Sequence, residues 1–322
     1  MNTTSFDCGL TASKSPIANH QSLIINRQDR AWRCRDRRIP LGRTLVMGIV
    51  NVTPDSFSDG GLCFDEERAV AHGLRLAAEG ADILDIGGES TRPGSAAVGE
   101  AEELRRVLPV IRRLARECGV PVSVDTRHAA VARAAVEAGA SIINDVMPFA
   151  GDAAMAAVVR ETGAGLVAMH MRGTPQTMAR HADYEDVVAE VEDALREALA
   201  YAEGQGIARE QVMIDPGIGF AKDTAQNVAL LAATARLARL APVLVGVSRK
   251  RMIGELCGEA DAAERAGGSV GAAVWCASQG ASVVRAHDVK ATRQALAVVA
   301  ALETAHRTFR KHRRILPTDG TD

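Results

Sequence analysis

Short apolar runs recur along the chain from residue 45 onward, and longer alanine-rich segments separate them. The runs contain many β-branched residues and few polar ones, which is typical of parallel strands buried on both faces. In the segments between them, apolar residues are spaced three and four apart, which predicts helices that bury one face. We therefore predict eight strands, at residues 45–50, 83–86, 120–124, 141–143, 165–169, 211–214, 243–247 and 282–284.

The alternation of these strands with helices predicts the fold class. Helical spacing is clear at 65–79 and 101–118, and the glycines that commonly end helices follow at Gly80 and Gly119. Eight strand–helix units over roughly 250 residues indicate an α/β protein with a (β/α)8, or TIM, barrel. A doubly wound sheet is the alternative, but no strand is followed by the glycine-rich phosphate loop of the nucleotide-binding folds.

Residues 1–43 differ from the rest because they are polar, lack a sustained period and contain a basic cluster at 27–43. We expect a flexible N-terminal extension outside the core, a single barrel domain at 44–310 and a tail at 311–322. A transit peptide or a nucleic-acid-binding arm is the alternative interpretation of the basic cluster. If the extension has no role in the barrel, deletion of residues 2–40 should leave activity unchanged.

Composition narrows the class of protein further. Hydrophobic residues make up 47% of the chain but aromatic residues only 3%, so the core must consist mainly of alanine, valine, leucine and isoleucine. The formal net charge is -2, so the chain lacks the net positive charge that would favour binding to nucleic acid or to an anionic membrane. The six cysteines form no C-x-x-C pair, and no apolar run is long enough to cross a bilayer. We expect a cytoplasmic protein without nucleic-acid or membrane partners.

Polar residues follow the predicted strands at the ends where a barrel of this class carries its active site. The first strand ends at Asn51, and a loop rich in glycine, serine and aspartate follows at 53–61. Every strand end but one supplies a charged residue or an amide. The candidate functional residues are Asn51, Thr91, Arg92, Asp125, Asn144, Met169, Asp215, Lys250, Arg285 and His287.

These candidates form two sets with different chemistry. One set combines acceptors and donors beside an apolar residue, and carboxylates accept paired N–H groups well, so it suits a flat heterocycle with an amidine-like edge. Its members are Asp125, Asn144, Asp215 and Lys250, with Met169 as the apolar neighbour. The other set combines cations with hydroxyl and amide donors, which suits a phosphate or diphosphate. Its members are Asn51, Thr91, Arg92, Arg285 and His287.

Each residue alone also has a structural interpretation. Asp125 is placed to cap the helix that follows, and Asn144 is placed to brace a turn. Arg285 is close enough in sequence to pair with Asp288. The whole set at successive strand ends is harder to explain by structure alone, which favours a binding site.

Several complete segments closely resemble one enzyme family, the dihydropteroate synthases. The resemblance extends in colinear order from about residue 46 to about residue 300. The matching segments are MGIVNVTPDSFSDGG at 47–61, DIGGESTRPG at 85–94, SVD at 123–125, IIND at 142–145, MHM at 169–171, DPGIGF at 215–220, GVSRK at 246–250 and RAHD at 285–288.

The resemblance implies a transferase of folate biosynthesis and a sulfonamide target. Such an enzyme condenses 6-hydroxymethyl-7,8-dihydropterin diphosphate with p-aminobenzoate to 7,8-dihydropteroate and releases diphosphate. A pterin-binding methyltransferase barrel is the alternative, but it needs no diphosphate site. The resemblance also implies small-molecule substrates, Mg2+ as a cofactor and a homodimer, with helices at 262–279 or 291–307 as the interface.

The resemblance further assigns roles to individual residues. Asn51 would ligate Mg2+, and loops at 51–63 and 89–98 would close over the substrates. Arg251 stands where many relatives carry serine, and its cation could serve the p-aminobenzoate carboxylate. The pterin would be held by Asp125, Asn144, Met169, Asp215 and Lys250; the diphosphate by Asn51, Thr91, Arg92, Arg285 and His287; and p-aminobenzoate by Thr91, Pro93, Phe220, Lys250 and Arg251. The residues with a catalytic role would be Asp125, Lys250, Arg285 and His287.

Overall fold

A computed structural model describes residues 30–52, 62–90 and 97–313 of the chain. The strands are β1 (Ala31–Cys34), β2 (Arg37–Pro40), β3 (Leu45–Asn51), β4 (Ile83–Gly87), β5 (Val122–Asp125), β6 (Ile142–Asp145), β7 (Gly165–Met169), β8 (Val212–Asp215), β9 (Leu244–Gly246) and β10 (Val283–Ala286). The helices are α1 (Leu62–Ala78), α2 (Glu100–Glu117), α3 (Ala129–Glu137), α4 (Met155–Thr162), α5 (Val187–Gly204), α6 (Thr224–Ala232), α7 (Thr234–Leu237), α8 (Arg251–Cys257), α9 (Ala266–Ser278) and α10 (Val289–Arg313).

Strands β3 to β10 form one eight-stranded parallel sheet in the order β8-β7-β6-β5-β4-β3-β10-β9. An isolated parallel bridge between Ile214 and Val243 joins its two outer strands, and the Ile214 amide donates to the Pro242 carbonyl at 2.9 Å. The sheet therefore closes into a barrel with helices outside it. The predicted (β/α)8 class is confirmed, and each predicted strand overlaps an observed one.

Side chains that alternate along the strands divide between the barrel interior and the helices. Met47, Ile83, Ile142 and Met213 belong to one buried cluster inside the barrel, whereas their neighbours such as Leu84 belong to the cluster that packs against the helices. This is the period of two that a pleated strand imposes. Each fully buried side chain of this size contributes about 1.5–3 kcal/mol, so the apolar interior anchors the polar residues above it.

The hairpin β1–β2 covers the lower end of this interior. Trp32 and Ile39 join the interior cluster together with Met47 and Ile83, and Trp32 is only 1% exposed. The indole Nε1 of Trp32 donates to the Gln211 carbonyl at 2.7 Å. The expectation that residues up to 43 lie outside the core is therefore wrong for residues 31–41. The apolar residues of the hairpin are few and are separated by arginines, so the sequence shows no sustained apolar pattern there.

Two other features concern the ends of the predicted domain. Helix α10 continues to Arg313, so the expected boundary between residues 310 and 311 falls inside a helix. Among the described residues, the helices are too short or too polar to span a bilayer. The rest of the expected flexible N-terminal extension, at 1–29, and the rest of the expected tail, at 314–322, lie outside the described residues.

Candidate active site

Strand register brings the predicted strand-end residues to one end of the barrel. Asn51 lies opposite Gly87 in the neighbouring strand, Gly87 lies opposite Asp125, and Asp125 lies opposite Asn144. On the far side of the same rim, Met169 lies opposite Asp215. The candidates that the sequence places at separate strand ends therefore share one mouth.

Several polar residues of this mouth lie two positions after buried apolar residues of the same strands. Asn144 follows Ile142 in this way, and Arg285 follows Val283. Since side chains two apart in a strand point to the same face, the polar layer lies directly above the apolar floor. The barrel interior thus changes from apolar to polar and charged over two residues along a strand.

Arg285 is the centre of this polar layer. Its Nε donates to Asp85 Oδ2 at 2.6 Å, and its Nη2 donates to Asp125 Oδ2 at 2.8 Å. The amide of Asn144 donates to the same Asp85 oxygen at 3.0 Å. Four residues from four strands therefore form one connected network, with a guanidinium held between two carboxylates.

The contacts of this network exclude two of the structural interpretations of its members. Asp288 pairs with Arg249 at 2.6 Å, so Arg285 is not its partner. The residue that precedes α3 is His128, and Asp152 accepts the Ala129 amide at its start, so Asp125 does not cap this helix. Both residues point their charges into the mouth instead.

Asp85 is the functional candidate that sequence reasoning missed. The residue lies inside the apolar run of β4, not at its end, and is fully buried. A usable signal was present, because Asp85 follows the inward-facing Ile83 by two positions. A charged residue at an inward position of a buried strand indicates a partner within the barrel.

Burial shifts the proton affinities of the charged groups in the mouth. Desolvation raises the pKa of Asp125 to about 7, against the opposing charge of Arg285. Desolvation also raises the pKa of Asp215 and lowers that of Lys250 to about 8, while each of these two groups favours the charged form of the other. Such groups are poised to respond to a bound ligand, because an N–H donor favours the carboxylate form.

An apolar wall stands beside the charged network. Met169 and Phe220 belong to one buried cluster with Val146. The Nζ of Lys250 lies 4.7 Å from the centroid of the Phe220 ring and donates to the Ile218 carbonyl. Together with Asp215, this wall provides apolar faces and polar edges, which suits flat aromatic ligands.

Of the remaining candidate residues, the structure describes His287 and Arg251 but not those in the loop after β4. His287 is half-buried, and its Nδ1 lies 3.0 Å from the Ser248 hydroxyl. Arg251 begins α8 with a side chain that is 75% exposed and pairs with Glu255 at 3.2 Å. Thr91, Arg92 and Pro93, and the loop at 53–61, lie outside the described residues.

A candidate metal-binding group includes one residue of the loop that follows β4. Glu89, Glu103 and His128 each offer one ligand atom, and these atoms lie within 4.8 Å of one another. All three already have partners, because His128 Nδ1 contacts Glu103 at 2.7 Å and Arg127 donates to Glu89 at 3.2 Å. This group could not be predicted from the sequence, because its members come from three separate parts of the chain.

The fold and the site together define the class of protein, an α/β-barrel enzyme that binds a flat, nitrogen-rich ligand at the carboxyl ends of its strands. Residues 47–287 match the family model described as pterin binding enzyme. The dihydropteroate synthase of Neisseria meningitidis serogroup B is 46% identical over 277 residues, which cover 84% of this chain and 97% of the relative.

Solved structures agree with this assignment. Xanthomonas albilineans dihydropteroate synthase with 4-aminobenzoic acid is 52% identical, has a TM-score of 0.80, and is matched over 85% of this chain and 98% of that one. The same enzyme in complex with 7,8-dihydropteroate is 50% identical, with a TM-score of 0.77 and the same coverage of both chains. This chain belongs to the dihydropteroate synthase family, and the resemblance seen in its sequence is confirmed.

Proposed function

We propose that this protein condenses 6-hydroxymethyl-7,8-dihydropterin diphosphate with p-aminobenzoate, giving 7,8-dihydropteroate and diphosphate. The reaction makes it a transferase of folate biosynthesis. The observation that carries the proposal is the guanidinium of Arg285 held between Asp85 and Asp125 in the barrel mouth, beside Asn144. This arrangement places anion-binding and N–H-accepting groups next to each other, as a pterin linked to a diphosphate requires.

The pterin ring is proposed to lie among Asp125, Asn144, Asp215 and Lys250. The ring carries adjacent N–H donors along one edge, and buried carboxylates accept such pairs with charge-assisted hydrogen bonds. Met169 lies in the buried cluster beside Asp215 and would contact the ring face. Binding of the ring would favour the carboxylate forms of both aspartates.

The diphosphate is proposed to lie toward Asn51, Arg285 and His287, with Thr91 and Arg92 completing its site. Mg2+ fits this position through Asn51, because it prefers oxygen ligands and commonly binds substrate phosphates with only one or two protein ligands. When bound, the ion would neutralise charge on the diphosphate oxygens. The group formed by Glu89, Glu103 and His128 fits Mg2+ less well, since it includes an imidazole and its carboxylates already have partners.

The reaction needs charge stabilisation but no covalent enzyme intermediate. The bond between the pterin methylene carbon and the diphosphate oxygen breaks, and the electron pair leaves with the diphosphate. Arg285 and His287 would stabilise this leaving group, and the Asp125 carboxylate would stabilise the cation left on the pterin. The amine of p-aminobenzoate then attacks the methylene carbon and releases a proton.

The second substrate is proposed to lie against the wall formed by Phe220 and Lys250, and Thr91 and Pro93 are proposed to contribute to the same site. Arg251, the next residue after Lys250, would meet the carboxylate at the rim of the mouth. An Arg251→Ala variant with an unchanged KM for p-aminobenzoate would exclude this role. We also expect inhibition by sulfonamides, which mimic p-aminobenzoate.

The assembly is proposed to be a cytoplasmic homodimer formed through α9 and α10. These two helices pack side by side, and Trp275, Val298 and Leu302 are 49%, 59% and 64% exposed on them. Large apolar side chains in such a group commonly mark an interface. Light scattering coupled to size-exclusion chromatography should give a dimer mass, and Leu302→Asp should shift it toward the monomer.

The central experiment combines the purified protein with both substrates and Mg2+ and measures dihydropteroate and diphosphate. We expect stoichiometric formation of the two products. Asp125→Ala and Lys250→Ala should lose most activity while circular dichroism shows a folded barrel. Absence of product when both substrates bind would refute the proposed function. Methyl transfer from a methylated pterin would favour the methyltransferase alternative instead.

A further inference from the structure

Lys222 is a buried lysine with no role in the reaction described above. Lys222 is only 5% exposed and lies in the loop that connects β8 to α6. The Nζ donates to the carbonyls of Phe220 at 2.9 Å and Gly217 at 3.1 Å, and it lies 3.1 Å from His170 Nδ1. Three acceptors match the three protons of an ammonium group, so the lysine is fully satisfied inside the protein.

The acceptor on His170 is available because this imidazole is neutral. Burial, followed by the charge of Lys222, lowers the pKa of His170 to about 3. A neutral imidazole has one ring nitrogen that accepts a hydrogen bond. The backbone amide of His170 donates to the Asp215 carbonyl at 2.9 Å, which links this contact to the strand that carries the pterin-site carboxylate.

Charge alone does not explain why a cation is retained here. The charged groups that act on Lys222 are Asp215, Lys250 and Arg172, and the ring centroid of Tyr184 lies 5.9 Å from Nζ. Two of the three charges are positive, and burial lowers the pKa of Lys222 to about 7 despite the attraction of Asp215. The geometry of its hydrogen bonds is therefore the better explanation for its presence.

The loop that Lys222 holds has an unusual backbone. Gly217, Gly219 and Ala221 all have positive φ, at 68°, 82° and 50°. This conformation is unfavourable for an alanine because of its Cβ, so other contacts must stabilise it. Lys222 binds the carbonyls of Gly217 and Phe220 in this loop, whereas Lys250 binds the carbonyl of Ile218 between them.

We propose that Lys222 is a positioning residue that fixes the loop at 217–221, and through it the ring of Phe220 and the ammonium of Lys250. The lysine acts from behind the loop, on carbonyl groups of the same segment that forms the apolar wall of the mouth. Its main effect is on the p-aminobenzoate site, where Phe220 and Lys250 meet at 4.7 Å. The identity of the substrate in this inference rests on the proposed function, whereas the role of Lys222 in fixing the loop does not.

The test compares Lys222→Met, Lys222→Arg and the control Lys290→Met. Methionine keeps the length of the side chain without its donors, arginine restores donors, and Lys290 is an exposed lysine at the start of α10. For Lys222→Met we expect a KM for p-aminobenzoate raised by about tenfold or more and a KM for the pterin diphosphate within about threefold of wild type. Arginine should recover much of this loss, and the control should match wild type.

Hydrogen exchange of peptides covering 216–223 supplies a readout that does not depend on activity. Faster exchange confined to this loop in Lys222→Met is expected, because two of its carbonyls lose their donor. Unchanged exchange, or an equal rise in both KM values with faster exchange throughout the barrel, would overturn the proposal. If Lys222→Met does not fold, Lys222→Gln takes its place, and the same two KM values, for p-aminobenzoate and for the pterin diphosphate, are compared. An inactive wild type would refute the proposed function, while the exchange comparison would still decide whether Lys222 fixes the loop.

Discussion

Arg285 and Asp85 lie 200 residues apart in the sequence, yet the Nε of Arg285 donates to Oδ2 of Asp85 at 2.6 Å. Asp85 is fully buried, and its other carboxylate oxygen has no hydrogen-bond partner among the described residues. The ion pair therefore has to stabilise this carboxylate together with the Asn144 amide. It also fixes the plane of the guanidinium, so that the Nη2 of Arg285 meets Asp125.

Removal of this buried charge should reduce activity. In Asp85→Asn, Arg285 loses one of its two carboxylates, and a charge-assisted hydrogen bond becomes a weaker neutral one. We expect kcat/KM to fall by about tenfold to a thousandfold, measured by steady-state kinetics with both substrates. Asp82→Asn is the matched control, because Asp82 precedes the other end of β4 and pairs with the half-exposed Arg43 at 2.5 Å. Equal activities of the two variants would contradict a role for Asp85.

A side chain at Gly217 should destabilise the barrel mouth. This residue has a φ of 68°, and a Cβ built there would collide with the His170 carbonyl. We expect Gly217→Ala to lower the free energy of unfolding by at least about 2 kcal/mol, as measured by urea denaturation. Gly204→Ala in α5 is the control, since its Cβ meets nothing within 4 Å and alanine favours a helix. A Gly217→Ala protein as stable as wild type would show that the loop can relax.

The buried carboxyl group of Asp145 should make stability depend on pH. Desolvation raises its pKa from 3.8 to about 7, so the native state binds this proton more tightly than the unfolded state. Its stabilising contribution is fully present below about pH 4 and is lost as the pH rises to about 7. Over this pH range, the free energy of unfolding of the wild type should fall by on the order of a few kcal/mol relative to that of Asp145→Asn. Urea denaturation at each pH measures this difference. The exposed Asp193→Asn control should follow wild type, and a difference between wild type and Asp145→Asn that does not change with pH would contradict the prediction.

The N-terminal hairpin should prove essential to the fold, contrary to the expectation from sequence. Trp32→Ala removes a side chain that is only 1% exposed, together with its hydrogen bond to Gln211. We therefore expect the free energy of unfolding to fall by about 3–5 kcal/mol, as measured by thermal or urea denaturation. Arg38→Ala, at an exposed position of the same hairpin, should cost little. Deletion of residues 2–29 should preserve the fold, whereas deletion of residues 2–40 should destabilise it. A stable, active protein lacking residues 2–40 would restore the original expectation.

The fold could be predicted because parallel strands buried on both faces leave apolar runs that are hard to mistake. The place of Asn144 and Asp215 at the barrel mouth could be predicted because each stands at the end of such a run. Asp85 was missed because it interrupts a run instead of ending it, and its partner is distant in sequence. The group of Glu89, Glu103 and His128 could not be found, since three separate elements supply it and their spacing follows no motif.

The docking of Trp32 also constrains how the chain is made. Its acceptor, Gln211, is synthesised 179 residues later, so the hairpin leaves the ribosome long before its docking surface exists. Contacts of such separation in sequence slow folding because a long loop must close first. During synthesis the indole of Trp32 therefore remains without its native cover, and the hairpin can close the floor of the barrel only after β8 has been added. The first described element to be translated is thus among the last to reach its final place.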